Sequence, residues 1–268
     1  MKTECPKTLE QLRHEQNRLK NRFAFKPTVL PKAYADKLNR QPQSGDIMAR
    51  VAALVLRPQK RLSQAMDYED ARKYVFEIGK LKLAERGRVW EVDEYNRGVI
   101  TETIKYFICD PSCEHDLNKG LFFFGGVGRG KTFLMEVMQV FCEAARIGQR
   151  QYLNVSTIDV VQKAKDYSEA SRKDGNNPLS YYSDPGKVFC FDDLGAEPGT
   201  VKVYGNETAA METILTKRYQ RFINGFCLTH VTSNCTPDDL EKRYGTRLAD
   251  RFNEMFNFIL IGGESRRK

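Results

Sequence analysis

Near the middle of the 268-residue chain, an octet with the pattern GxxxxGK[ST] lies between an apolar stretch, LFFF, and a longer amphipathic stretch, FLMEVMQVFCEAA. A strand before such an octet and a helix after it are the two contexts that a phosphate-binding loop requires. The glycines allow successive backbone N–H groups to point at phosphate oxygens, and the helix that follows presents its positive end to them. The octet therefore predicts a strand, a nucleotide-binding loop and a helix, in that order.

Two residues of the octet have separate expected roles. Lys131 should lie at an exposed helix start, where its ammonium would neutralise the β- and γ-phosphates of ATP, and the Thr132 hydroxyl would bind Mg²⁺. The predicted nucleotide-binding residues are Gly125, Gly126, Val127, Gly128, Arg129, Gly130, Lys131, Thr132 and Phe133. The expected cofactors are therefore ATP and Mg²⁺.

A second apolar stretch, KVFCFDDLGAE, leads into two carboxylates, Asp192 and Asp193. An acidic pair at the end of a buried strand is costly to desolvate unless cations or donors meet it, which favours a metal-nucleotide site. We expect Asp192 to hold Mg²⁺ through water and Asp193 to orient or polarise the attacking water. The alternative is a pair of aspartates that only caps a turn.

Two further stretches have polar residues at positions that suit catalysis. FCLTHVTSN ends in Asn234, whose amide could reach the γ-phosphate or the attacking water, or could simply end a strand before a helix cap. In YGTRLADRF, Arg247 and Arg251 are four residues apart and share one helical face. That pair is either a solvated stripe or a means of reaching the nucleotide of a neighbouring subunit.

Beyond residue 118, short apolar stretches alternate with amphipathic ones. The predicted strands are residues 120–126, 150–156, 187–193, 226–234 and 257–263. The predicted helices are residues 131–147, 157–168, 207–223 and 237–256, and a further helix over 89–108 should lead into this core. The alternation indicates an α/β fold with a five-stranded parallel sheet covered by helices on both faces.

The first 90 residues differ from the rest in charge. They contain 20 Lys and Arg against 10 Asp and Glu, whereas residues 91–268 contain 23 against 25. Apolar residues at helical spacing predict helices within residues 4–24 and 47–83. We therefore predict a basic, mainly helical region, residues 1–90, that binds a protein partner or DNA, and an ATPase core, residues 91–268. A solvated extension is the alternative for the first region.

Sequence features also bear on the cellular compartment. No run approaches the roughly 18 apolar residues of a membrane span, and the N-terminal stretch has no apolar segment of the kind that a signal peptide needs. The seven cysteines are an odd number, and several lie in apolar stretches, which indicates reduced thiols. These features predict a cytoplasmic protein that does not associate with a membrane.

The octet, FDDLGAE, TSN and YGTRLADRF, in this order, resemble the DnaC/IstB-like branch of the AAA+ ATPases, which includes replicative helicase loaders and transposition helper ATPases. The resemblance covers roughly residues 90–268 and implies an AAA+ core without a C-terminal helical lid, an interpretation that the ending GGESRRK also favours. It implies that Asn234 is the first sensor and that Arg247 and Arg251 include the arginine that completes a neighbour's site. Arg267 would take over part of a second sensor's role. Asp193 stands where most AAA+ proteins have Glu, although Asp is usual in this branch.

The resemblance implies an ATP-dependent switch with slow, DNA-stimulated hydrolysis. The chain would assemble as a homo-oligomer on single-stranded DNA and deliver a replicative helicase to that DNA. The alternatives are a transposition helper ATPase that binds duplex DNA and recruits a transposase, and an adaptor whose nucleotide is never hydrolysed. The polar stretch 168–187, with Tyr181 and Tyr182, is a candidate DNA contact or a plain surface loop.

Overall fold

The computed structural model of the chain describes residues 8–22, 62–170, 177–199, 201–203, 206–225 and 227–267. Part of the helical unit predicted over residues 47–83 lies outside the described residues. The helices are α1 (Leu9–Arg22), α2 (Tyr68–Ala84), α3 (Arg97–Ile108), α4 (Lys131–Ala144), α5 (Thr157–Ala170), α6 (Pro178–Tyr181), α7 (Ala210–Gly225), α8 (Pro237–Tyr244) and α9 (Thr246–Met255). The strands are β1 (Gly120–Phe124), β2 (Leu153–Ser156), β3 (Phe189–Asp192), β4 (Val201–Val203), β5 (Asn206–Thr208), β6 (Thr229–Ser233) and β7 (Phe256–Leu260).

Five of these strands form one sheet in the order β2-β3-β6-β1-β7, and every neighbouring pair in it is parallel. The predicted five-stranded parallel sheet is therefore confirmed. Because parallel strands end at the same edge, the residues that follow β3, β6 and β1 lie side by side. Those residues are Asp193, Asn234 and Gly125, so the sheet order alone brings three predicted site residues to one edge.

The two faces of the sheet are covered by separate helical layers. Alternate residues of β1 point to opposite faces, so that Phe122 and Phe124 lie in one buried cluster while Leu121 and Phe123 lie in the other. Helices α5, α7 and α9 contribute to the first cluster, and α2, α3 and α4 to the second. Burial on both faces explains why β1, with the sequence GLFFF, is continuously apolar rather than alternating.

Several elements differ from the predicted ones, and three of the differences concern helices or the residues before them. The helix predicted over 237–256 is divided into α8 and α9 at Gly245, whose φ of 84° is unfavourable for other residues. Helix α3 begins only at Arg97, because the Asp93 carboxylate accepts hydrogen bonds from the backbone N–H groups of Tyr95 and Asn96 in the turn before it. An antiparallel pair, β4 with β5, precedes α7, and the sequence analysis did not predict it.

Helix α2 packs against the core although it precedes residue 90. Ala71 and Val75 are fully buried in the same cluster as Ile104 of α3 and Met138 of α4. A domain boundary at residue 90 remains a prediction. None of the helices in the described part of the chain combines the length and the apolar character needed to cross a membrane.

Trp90 joins α2 to the helix that follows the phosphate-binding octet. Its ring stacks on Phe76 with the centroids 4.9 Å apart and meets Phe133 edge-on at 5.6 Å. It lies over Gly79, where an added Cβ would be only 2.0 Å from Trp90 Cε3. A glycine at this position of α2 therefore allows the tryptophan to reach α4.

Replacing Gly79 with alanine is expected to destabilise the protein because the new methyl group displaces the Trp90 ring. The expected loss is about 1–3 kcal/mol in the free energy of unfolding, as for other overpacked cores. Gly98 of α3 is the matched control, since a Cβ there meets nothing within 4 Å. Gly98→Ala should change stability by no more than about 1 kcal/mol, in the stabilising direction. Urea unfolding of both variants measures the difference, and equal midpoints would contradict the assigned contact.

Candidate nucleotide-binding site

The octet forms a tight loop between β1 and α4. Gly128 and Gly130 have φ angles of 80° and 94°, a region that side chains other than glycine rarely adopt. Gly130 directly precedes α4, so the loop ends at the N-terminus of a helix of 14 residues. Such an end supplies free backbone N–H groups and a partial positive charge, both of which favour a phosphate.

Lys131 lies inside the loop and not at an exposed position. Its side chain donates hydrogen bonds through Nζ to the carbonyl oxygens of Gly125 and Gly126, at 2.8 and 2.9 Å, and to Asn234 Oδ1 at 2.6 Å. Only 4% of the residue is accessible to solvent, so the expectation of an exposed helix start is wrong. The loop curls around the ammonium group and encloses it. Burial lowers the pKa of Lys131 to about 8, against the opposing influence of the Asp193 charge.

Thr132 and Asp192 are in direct contact. The Thr132 hydroxyl donates to Asp192 Oδ1 at 2.7 Å, and the Thr232 hydroxyl donates to the same oxygen at 2.5 Å. A hydroxyl and a carboxylate are hard oxygen ligands of the kind that Mg²⁺ prefers, and Mg²⁺ at such sites takes its other ligands from water and phosphate. The two residues predicted to bind the metal therefore lie together and fit it chemically.

Asp193 has an unusual backbone conformation, with a φ of 58°. Four hydrogen bonds hold it. Thr232 Oγ1 accepts from its N–H, the Thr157 hydroxyl and the Ala196 N–H donate to its carbonyl oxygen, and Asn234 Nδ2 donates to Oδ1 at 2.8 Å. Burial raises the pKa of the Asp193 carboxyl, and the neighbouring charge of Asp192 raises it further. A strained, firmly held carboxylate with increased basicity is suited to orient water and accept a proton from it.

Asn234 connects the two charged groups of the site. It accepts from Lys131 at 2.6 Å and donates to Asp193 at 2.8 Å. The amide is suited to this position because it is a donor and an acceptor at once. Lys131, Asn234 and Asp193 thus form one hydrogen-bonded chain across the ends of β1, β6 and β3.

A cavity of about 800 Å³ opens beside this chain. The predicted residues that line it are Gly128, Arg129, Gly130, Lys131, Thr132, Phe133, Asp192, Asp193, Asn234 and Arg267. Arg267, in the C-terminal segment, lines the same cavity as Lys131 and Asp193. Gly125, Gly126 and Val127 do not line this cavity.

One wall of the cavity was missed by the sequence analysis. It consists of residues between α2 and α3, among them Trp90 and Asp93, together with Arg266 of the C-terminal segment. Nothing in the local sequence assigns Trp90 to a nucleotide site or links Asp93 to Arg266. The only signal was the short motif GGESRRK, which drew attention to the C-terminal segment without assigning Arg266.

The two predicted catalytic arginines lie elsewhere. Neither lines the cavity that the described residues form. The Arg251 guanidinium lies over the ring of Tyr219 on α7, 4.9 Å from its centroid, and Nη1 is 3.4 Å from Thr216 Oγ1. Arg247 is exposed on α9. The structure therefore brings together the predicted loop residues from Gly128 to Phe133 and those at the strand ends, but leaves both arginines apart from them.

Neither a protein-family model nor a curated protein matches the sequence. Solved structures similar to the chain include the DnaC helicase loader, with 18% identity and a TM-score of 0.47, covering 64% of this chain and 93% of that chain. They also include DnaI, with 21% identity and a TM-score of 0.48 over 75% and 94%. Domain III of the Thermotoga maritima replication initiation protein DnaA is 17% identical, with a TM-score of 0.48 over 70% and 67%.

Proposed function

We propose that this chain binds ATP with Mg²⁺ and hydrolyses it as a DNA-associated switch, a replicative helicase loader. The observation that carries this proposal is the hydrogen-bonded chain from Lys131 through Asn234 to Asp193, next to the contact between Thr132 and Asp192. A cation, an amide, a carboxylate and a metal-binding pair converge on one helix N-terminus. This is the combination that phosphoryl transfer to water needs.

Each residue has a distinct task in the proposed reaction. The backbone N–H groups of the loop bind the phosphates, and Lys131 supplies positive charge to the β- and γ-phosphates. Mg²⁺, held by Thr132 and through water by Asp192, would neutralise phosphate charge when bound. Asp193 accepts a proton from the attacking water, whose oxygen bonds to the γ-phosphorus. The bond from that phosphorus to the bridging oxygen breaks and leaves ADP and inorganic phosphate. Asn234 holds Asp193 and contacts the γ-phosphate or the water.

Asp193→Asn is expected to retain ATP·Mg²⁺ binding and to slow turnover at least about tenfold, since an amide cannot accept the proton from water. Phosphate release in the presence of single-stranded DNA measures turnover, and titration calorimetry measures binding. Asp193→Glu is the matched control, because it keeps the carboxylate and should retain more activity than the asparagine variant. Equal turnover of Asp193→Asn and the parent would remove Asp193 from the mechanism. A parent that binds ATP without turnover would favour the adaptor.

A second cavity, of about 1020 Å³, supports the proposed DNA contact. It lies between α5, the segment 177–185 and α7, and Lys163, Lys217 and Arg221 line it together with Tyr181. Lys187 lies over the Tyr181 ring at 3.7 Å, and 44% of that tyrosine is exposed. Cations beside an exposed aromatic ring suit a single strand, whose phosphates need neutralising and whose bases can stack.

DNA affinity is expected to fall steeply with salt and to be higher for single strands than for duplex. Lys217→Ala and Arg221→Ala should each reduce the slope of log affinity against log salt by roughly 0.7 if each residue meets one phosphate of a single strand. Tyr181→Ala should weaken single-strand binding by about 1–3 kcal/mol. Tyr74→Ala is the control, because Tyr74 is an exposed tyrosine on α2 that does not line this cavity. Fluorescence anisotropy with labelled oligonucleotides measures all four variants. Tighter binding to duplex would favour the transposition helper.

The basic region, residues 1–90, is proposed to select the protein partner, a replicative helicase or a transposase. Its 20 Lys and Arg against 10 Asp and Glu suit an acidic protein face. Helix α2 belongs to the packed core, and Leu12 of α1 is also buried in it beside Gly262, so removal of residues 1–61 disturbs the core less than removal of all 90 and is the better test. Such a chain should retain ATP binding and lose the partner.

A further inference from the structure

The C-terminal segment, residues 261–267, runs along the phosphate-binding loop. The N–H of Ile261 donates to the carbonyl oxygen of Phe124, at 2.9 Å, which extends the pairing of β7 with β1 up to the loop. Further along, Ser265 lies so close to Gly128 that a Cβ on the glycine would be 2.2 Å from Ser265 Oγ. The segment therefore packs directly on the backbone of the loop, where a side chain would not fit.

Arg266 makes two hydrogen bonds to that backbone. Its main-chain N–H donates to the carbonyl oxygen of Gly128 at 2.9 Å, and its Nη1 donates to the carbonyl oxygen of Arg129 at 2.8 Å. Two consecutive peptide groups of the loop are thus held by one residue, through its main chain and its side chain.

Holding those two carbonyl groups also orients two N–H groups. A peptide unit is planar and almost always trans, so its C=O and N–H point in opposite directions. With the carbonyls of Gly128 and Arg129 directed at Arg266, the N–H groups of Arg129 and Gly130 are directed away from it. Inward-pointing N–H groups are what a phosphate-binding loop offers to its ligand. Glycines at 128 and 130 leave this backbone free to turn, so an external contact is needed to fix it.

A third contact anchors the arginine itself. Arg266 Nη2 pairs with Asp93 Oδ2 at 2.6 Å, while Asp93 Oδ1 accepts from the N–H groups of Tyr95 and Asn96 before α3. The Arg266 side chain is only 20% exposed, compared with 41% for Asp93. Arg266 therefore links three segments that are distant in sequence: the loop, the turn before α3 and the C-terminal segment.

We propose that Arg266 is a positioning residue that holds the phosphate-binding loop in its ligand-ready conformation, with Asp93 as its anchor. This inference rests on the proposed nucleotide binding of the loop. It separates Arg266 from the adjacent Arg267, which lines the cavity together with Asp193 and Lys131. Loop N–H groups meet the phosphates that ADP and ATP share. Arg266 should accordingly contribute equally to the binding of ADP and of ATP, whereas Arg267 should contribute more to the binding of ATP.

The experiment measures equilibrium binding of ADP and of a non-hydrolysable ATP analogue to the full chain by titration calorimetry. Arg266→Ala is expected to weaken the binding of both nucleotides by a similar factor, about tenfold, because charge-assisted hydrogen bonds are lost. Arg267→Ala, at the next residue, is the comparison: it should weaken binding of the analogue more than binding of ADP, because Arg267 lines the cavity beside Lys131 and Asp193. ADP binding by Arg266→Ala that equals the parent's would overturn the positioning role.

Two milder variants keep the inference testable if Arg266→Ala does not fold. Arg266→Lys retains the charge but cannot contact Arg129 O and Asp93 together, and Asp93→Asn removes the anchor's charge. Both variants should weaken ADP binding. In a chain that carries both Arg266→Lys and Asp93→Asn, the two effects on binding free energy should be less than additive because they act through one contact. Parental ADP affinity in both variants overturns the inference. A parent chain that binds neither nucleotide overturns the proposed function as well.

Discussion

Lys131→Ala is expected to abolish stable ATP binding. The ammonium makes hydrogen bonds with two loop carbonyls and with Asn234, so it is held at the centre of the loop where phosphates would bind. Hydrogen bonds to charged groups contribute about 1.5–3 kcal/mol each, and the loss of two would weaken binding by roughly two to four orders of magnitude. Titration calorimetry with ATP and Mg²⁺ measures the loss. Unchanged ATP affinity would refute the assignment of the site.

The burial of Lys131 makes a stability control necessary. Removing a buried cation relieves a desolvation cost, but it also leaves the carbonyls of Gly125 and Gly126 without this donor. Lys119 offers a matched control, because burial also lowers its pKa and its Nζ donates to the carbonyl oxygen of Asn253 at 2.8 Å. It lies just before β1, at the opposite end of that strand from the loop. Lys119→Ala should therefore change stability in urea and spare ATP affinity.

The sheet could be predicted from the sequence because its strands are buried on both faces. Burial of this kind produces uninterrupted apolar stretches such as LFFF, which are visible without any knowledge of the fold. The loop was predictable for a related reason: its chemistry depends on local backbone, and glycines at fixed spacing are its signature. The place of Asp192 and Asp193 in the site was also predictable from local sequence, because charges at the end of an apolar stretch need a compensating partner.

The parts that could not be predicted depend on contacts between distant residues. Asp93 and Arg266 are 173 positions apart, and neither has a local pattern that indicates the other. The burial of Lys131 was mispredicted for the same reason, because Asn234, 103 positions away, helps to enclose it. The break at Gly245 shows a different limit. Helical periodicity continues across it, and a backbone conformation that favours glycine divides the predicted helix.

The position of Arg251 is compatible with two roles. Its guanidinium lies over Tyr219 of the same chain, so a structural role in packing α9 on α7 is one explanation. The other is action in trans, where Arg251 would reach the ATP held by Lys131 and Asp192 of a neighbouring subunit. A guanidinium suits that task because it stays charged and can hydrogen-bond two phosphate oxygens at once. The two explanations predict different stabilities for a chain that lacks this arginine. Removal of a packing residue destabilises the monomer, whereas removal of a trans-acting residue does not.

Arg251→Ala is expected to retain ATP binding and to lower hydrolysis about a thousandfold or more, as loss of a trans-acting arginine does in other ATPases and GTPases. Lys131→Ala is also expected to be inactive, but a mixture of the two variants pairs an intact loop on one subunit with an intact Arg251 on the next. Mixing them on single-stranded DNA should therefore restore part of the hydrolysis. Arg247→Ala, four residues away and exposed, is the control and the less favoured alternative. If the mixture stays inactive although both variants assemble, and Arg251→Ala unfolds at lower urea, Arg251 is a packing residue of α9.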